Sequence, residues 1–84
     1  MAKKIKAINI NNDSMFIQIK TFIPESIVMN AEAYRNEKSK LNTISNVLQK
    51  VKNDFMRTNP NLTVNWNDYD TYLIEIIQMR ILIK

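Results

Sequence analysis

The sequence predicts a small α+β protein in the order ββα(α)ββ, in which two β-hairpins form one antiparallel sheet and a main helix, preceded by a short one, packs on one face. Three observations carry this. Residues 41–57 repeat their apolar side chains every three or four positions, as one face of a helix does. Two clusters of turn formers, residues 11–14 and 67–71, each separate runs rich in β-branched and aromatic residues. With 84 residues there is material for one core only, so residues 1–84 are expected to be a single domain.

The first hairpin is expected from residues 3–10 and 15–23, joined through Asn11, Asn12, Asp13 and Ser14, which tolerate the tight backbone of a turn. Pairing Ile10 with Met15 puts Ile8, Ile10, Met15, Ile17 and Ile19 on one face as a core. Asn9, Phe16, Gln18, Lys20 and Phe22 take the other. Pro24 then ends the second strand and suits the first turn of a helix, expected over residues 25–35 with Ile27, Ala31 and Tyr34 on its apolar side. Residues 35–40, RNEKSK, hold no apolar side chain. An uninterrupted helix from 25 to 57 would run roughly 50 Å at about 1.5 Å per residue, too long for a domain whose radius of gyration should be about 12 Å. A break near residues 36–40 is therefore expected.

The main helix buries Leu41, Ile44, Leu48, Val51 and Phe55, with Val47 and Met56 widening the stripe, and turns Lys50, Lys52, Asp54 and Arg57 outward. It is expected to stop at Thr58, Asn59 and Pro60, with an asparagine in the left-handed cap. Leu62, Val64 and Trp66 alternate with Thr63, Asn65 and Asn67, the pattern of a half-buried strand. A return strand over residues 72–83 would pair Trp66 with Tyr72 and Val64 with Ile74. Its far end, Ile76, Ile77, Ile81, Leu82 and Ile83, is apolar on both faces, as in a covered central strand or an edge that pairs with another copy. A buried C-terminal helix is the alternative, but the isoleucine content favours a strand.

Absences bound the chemistry. There is no His, Cys or Gly, which removes a structural zinc site, a Ser-His-Asp or Cys-His nucleophile, a P-loop and a dinucleotide fingerprint. A carboxylate-bound magnesium would have to draw on the eight Asp and Glu, of which only Asp68 and Asp70, with Glu75 nearby, cluster, and loop solvation explains those more simply. No catalytic residue, cofactor or metal is expected, and the protein is read as not an enzyme. With no disulfide to brace so short a chain, packing or self-association must hold it together, in a reducing cytoplasmic setting. No segment suits a membrane span, and the N-terminus lacks the apolar stretch of a signal peptide.

The net charge is +4, but Asn, Ile and Lys abound while Gly is absent and Pro scarce, the mark of AT-rich coding, so lysine number says little by itself. The most informative stretch is NWNDYDTY. Trp66, Tyr69 and Tyr72 are residue types enriched at interface hot spots, and Asp68, Asp70 and Glu75 make a local acidic patch. The plainer account makes Trp66 and Tyr72 core residues and the aspartates turn caps. The function expected is that of a non-enzymatic binding protein acting stoichiometrically on a host or defence protein, an inhibitor or regulator of the kind phages and mobile elements encode, anti-CRISPR proteins among them. A homodimer, for which the C-terminal strand offers a seam, or else a tight partner is expected as well. The alternative is a nucleic-acid-binding protein in which Phe16 and Phe22 stack bases while Lys3, Lys4, Lys6 and Lys20 hold phosphates. A solvated lysine face is the blander account of those residues.

Overall fold

The computed structural model describes residues 12–84, and within them the chain is mostly helical. The order is α1 (Ser14–Lys20), β1 (Ile27–Met29), α2 (Ala31–Arg35), α3 (Glu37–Thr58), a 3-10 turn (Trp66–Asp68), α4 (Asp70–Met79) and β2 (Ile81–Ile83). The two strands form one short parallel sheet with Ile27 beside Ile81, Val28 beside Leu82 and Met29 beside Ile83. This overturns the expected antiparallel sheet of two hairpins under one main helix.

The physical reason is a period read wrongly twice. At the N-terminal side, Met15, Ile17 and Ile19 alternate, but Phe16, Ile19 and Ile23 are spaced three and four apart, and the helical set is the one that is buried. Asp13 then serves as a helix cap and not as a turn: its Oδ1 accepts from the Phe16 N–H at 3.1 Å. The first half of that expected hairpin lies outside the described residues. At the C-terminal side, Tyr69, Leu73 and Ile77 recur every fourth residue and are buried, so α4 and the helical alternative prevail over the strand. Residues 62–67, expected as its partner strand, run as an irregular connection that enters the 3-10 turn at Trp66.

The short helix expected over residues 25–35 is also divided. Ile27, Val28 and Met29 are extended and pair with β2, and Asn30 starts α2 by accepting the Ala33 N–H at 2.7 Å. The break before the main helix falls at Asn36, whose side chain caps α3 through the Ser39 N–H at 3.2 Å. Thus α3 begins four residues earlier than position 41, and Leu41, expected in the buried stripe, lies exposed near its start. Asn59 ends α3 with φ −127° and ψ 64°, outside the left-handed region, and both its backbone and side-chain N–H groups donate to the Phe55 carbonyl.

The core lies where α1, α3 and α4 meet. Phe16, Ile19 and Ile23 pack with Ile44, Val51 and Phe55 of α3 and with Tyr69, Leu73 and Ile77. Phe55 is fully enclosed, with the edges of Phe22 and Trp66 at centroid distances of 5.6 and 6.0 Å. Parallel strands cannot be joined by a tight turn, and here the segment carrying α2, α3 and α4 supplies the crossover. Arg80, between α4 and β2, donates to the Ile23 and Pro24 carbonyls at 2.8 and 3.1 Å, which ties the loop after α1 to the sheet.

Candidate functional site

The residues singled out in the sequence divide into an inner and an outer set. Tyr69 is buried, stacks on Phe16 at 5.7 Å with the rings 11° apart, and donates its hydroxyl to Asp13 Oδ2 at 2.8 Å. Burial first, and then the neighbouring carboxylate, pushes the Tyr69 phenol up to about 12. Asp13 moves the other way: the Phe16 N–H, followed by the Tyr69 hydroxyl, holds its carboxyl below the ordinary carboxylate value. These are joints of the fold, linking the start of α1 to the start of α4.

Trp66 and Asp70 are also structural. Lys52 on α3 places its ammonium 5.7 Å from the centre of the Trp66 ring and 3.0 Å from Asp70 Oδ1. The latter is an ion pair by distance, although the buried Oδ1 receives no well-directed hydrogen bond. Asp70 therefore faces inward to α3, and among the described residues no three acidic side chains gather as a metal site.

The outer set is Asp68, Tyr72 and Glu75, to which the structure adds Met79. All four are exposed, Tyr72 at 43 % and Met79 at 78 %. Their spacing of four, three and four residues is that of a single helical stripe. The opposite stripe, Tyr69, Leu73 and Ile77, is fixed in the core, so the outer residues stand on a rigid support. Tyr72 is steadied from below, its ring meeting Phe16 edge-on at 6.1 Å. Met79 was not among the sequence-derived candidates, because a strand over residues 72–83 gave no reason to group it with Tyr72 and Glu75. The helical period would have found it.

The nucleic-acid candidates are arranged differently from the expectation. Phe16 is only 3 % exposed and Phe22 packs against Phe55, so neither offers a free ring face to a base. Lys20 lies 5.2 Å from the centre of the Phe16 ring, where it covers the core. Lys3, Lys4 and Lys6 lie outside the described residues. Those three make up a quarter of the twelve basic side chains, and the remaining nine are nearly balanced by eight acidic ones.

Among the described residues, no helix is long and apolar enough to cross a membrane. No protein-family model matches the sequence, and no curated protein or solved structure is significantly similar to it.

Proposed function

We propose that this protein is a non-enzymatic binding module that acts inside the cell by docking the outer face of α4 on another protein. The observation that supports this reading is the stripe of Tyr72, Glu75 and Met79 on α4, continued by Asp68 of the preceding 3-10 turn, on a helix whose other face is locked in the core. An aromatic ring between two carboxylates, with a flexible thioether beyond the second, suits a partner surface with an apolar pocket bordered by Lys or Arg. Binding would be stoichiometric, because the stripe offers contact area and charge and no nucleophile.

The test is affinity capture with the full chain and with Glu75→Lys/Met79→Ala, whose side chains point out of the core. A protein retained by the wild type and lost with the variant, at unchanged helix content and melting temperature, is the expected result. Equal retention by both would remove α4 from the interface. Trp66→Ala and Tyr69→Ala are unsuited to this purpose, since both rings hold the fold together.

A second reading is favoured by the charge distribution: the first eleven residues carry three lysines and no acid, which suits contact with phosphates. In that case Lys3→Glu, Lys4→Glu and Lys6→Glu together abolish salt-dependent binding to DNA or RNA, and the α4 variant leaves it intact.

A further inference from the structure

The backbone groups that join β1 to β2 belong to alternate residues. The Ile27 N–H donates to the Arg80 carbonyl and the Lys84 N–H to the Met29 carbonyl, each at 2.9 Å. Arg80, Leu82 and Lys84 therefore face β1, and the N–H and C=O groups of Ile81 and Ile83 point to the other side. Among the described residues no third strand lies there. Leu82 and Ile83 are 52 % and 44 % exposed, and no proline, charge or bulge guards residues 81–83.

The geometry points to a second copy of this chain as the occupant of that edge, the two β2 strands running antiparallel about a two-fold axis at Leu82. In this register Ile81 of each copy exchanges both backbone bonds with Ile83 of the other. Four hydrogen bonds form, and every outward group of Ile81 and Ile83 is used. Leu82 meets its own copy as a close, non-hydrogen-bonded pair, and Ile83 lies against Ile81 of the second copy. The fit is to this chain in particular because a strand apolar on both faces needs a partner of the same kind, and a two-fold axis supplies one in β2 itself.

The result is a four-stranded sheet in the order β1, β2, β2, β1. Val28, Leu82 and their copies make one apolar row across it, in place of a two-stranded sheet too small to be stable alone. Arg80 would stand opposite Lys84 of the second copy, but its guanidinium is turned back onto the Ile23 and Pro24 carbonyls and so is withdrawn from the edge. Three residues per strand is a small contact beside the roughly 800 Å² per partner of a standard interface, so the dimer is weak and concentration-dependent.

The chain has no cysteine, which makes a single introduced one diagnostic. Across such a two-fold axis Leu82→Cys brings two Cα atoms to about 4.5 Å, within disulfide range, whereas Val28→Cys leaves them about 14 Å apart at strand spacings of about 4.8 Å. Under mild oxidation at up to about 1 mM, where weak contacts are populated, Leu82→Cys should give about tenfold more covalent dimer than Val28→Cys. In the same range wild type should show a dimer by sedimentation velocity, and Ile83→Pro, which removes an N–H from the outer edge alone, should lose it. Equal cross-linking of the two cysteine variants, or a wild-type monomer at every concentration, overturns the proposal. If Ile83→Pro unfolds, as circular dichroism would show, the cysteine pair still decides.

Discussion

Replacing Asp13 by alanine should cost about 2 to 3 kcal/mol, because one carboxylate performs two tasks. Its Oδ1 caps α1 through the Phe16 N–H, and losing such a cap costs about 1 kcal/mol. Its Oδ2 accepts the Tyr69 hydroxyl across 56 residues of chain, and a hydrogen bond to a charged group contributes about 1.5 to 3 kcal/mol. The upper end does not apply, since Asp13 is only half-buried and the freed hydroxyl can recruit water. In a domain of this size a loss of about 2 kcal/mol lowers the melting temperature by roughly 8 to 16 °C. Thermal unfolding of Asp13→Ala, Tyr69→Phe and the double variant closes a cycle whose coupling should be about 1 to 2 kcal/mol. The charge adds a pH signature. Because the native carboxyl titrates below its ordinary value, its contribution is complete above that value and fades as pH falls through the lowered one. The stability gap between wild type and Asp13→Asn should therefore be present at neutral pH and close in acid. Additive single losses, or a gap independent of pH, would refute this account of how α1 is tied to α4.

Phe55→Ala should remove about 3 to 5 kcal/mol, since the ring is fully buried between Phe22 and Trp66, and most of the cooperative melting transition should vanish with it. Asn36→Ala deletes the cap that separates α2 from α3 and should cost about 1 kcal/mol in denaturant titration, whereas Leu41→Lys, on the exposed start of α3, should stay within about 0.5 kcal/mol of wild type. Tyr69, with its phenol raised to about 12, contributes stability that is complete below the ordinary tyrosine value and lost as pH rises through the native one. Ultraviolet titration should show one phenol ionising well above the ordinary tyrosine value, and Asp13→Ala should lower its midpoint.

What the sequence made legible was α3, and the reason is length. Over 22 residues the three-and-four spacing of Ile44, Leu48, Val51 and Phe55 cannot be mistaken for alternation, and RNEKSK marks the discontinuity that Asn36 enforces. Over seven or ten residues the two periods compete. Residues 15–19 and 72–77 contain enough isoleucine to satisfy either, and β-branching then favours a strand. The deciding information was polar. Asp13 three residues before Phe16, and Asn30 three before Ala33, are cap spacings. In a chain so rich in asparagine each could equally be read as a turn. The parallel pairing of Ile27–Met29 with Ile81–Ile83 joins segments more than fifty residues apart, and no local pattern announces it.

The same misreading governed the candidate site. As a strand, residues 72–79 place Tyr72 beside Ile74 and Ile76 and make the loop before them the contact surface. As a helix, they separate two faces. Leu73 and Ile77 anchor α4, and their truncation to alanine should cost about 2 to 5 kcal/mol each. Tyr72, Glu75 and Met79 lie on the exposed side; changing Glu75 or Met79 should leave stability within about 0.5 kcal/mol, whereas Tyr72→Ala gives up the edge-on contact with Phe16 and should cost about 0.5 to 1.5 kcal/mol. Binding and folding are thereby separable on one ten-residue element, which the acidic and aromatic loop of the sequence reading did not allow. Trp66, Tyr69 and Asp70, three of the six interface candidates, belong to the folding side. A variant series along α4 that lost partner binding in step with melting temperature would mean that the face is supported less rigidly than Phe16, Leu73 and Ile77 imply.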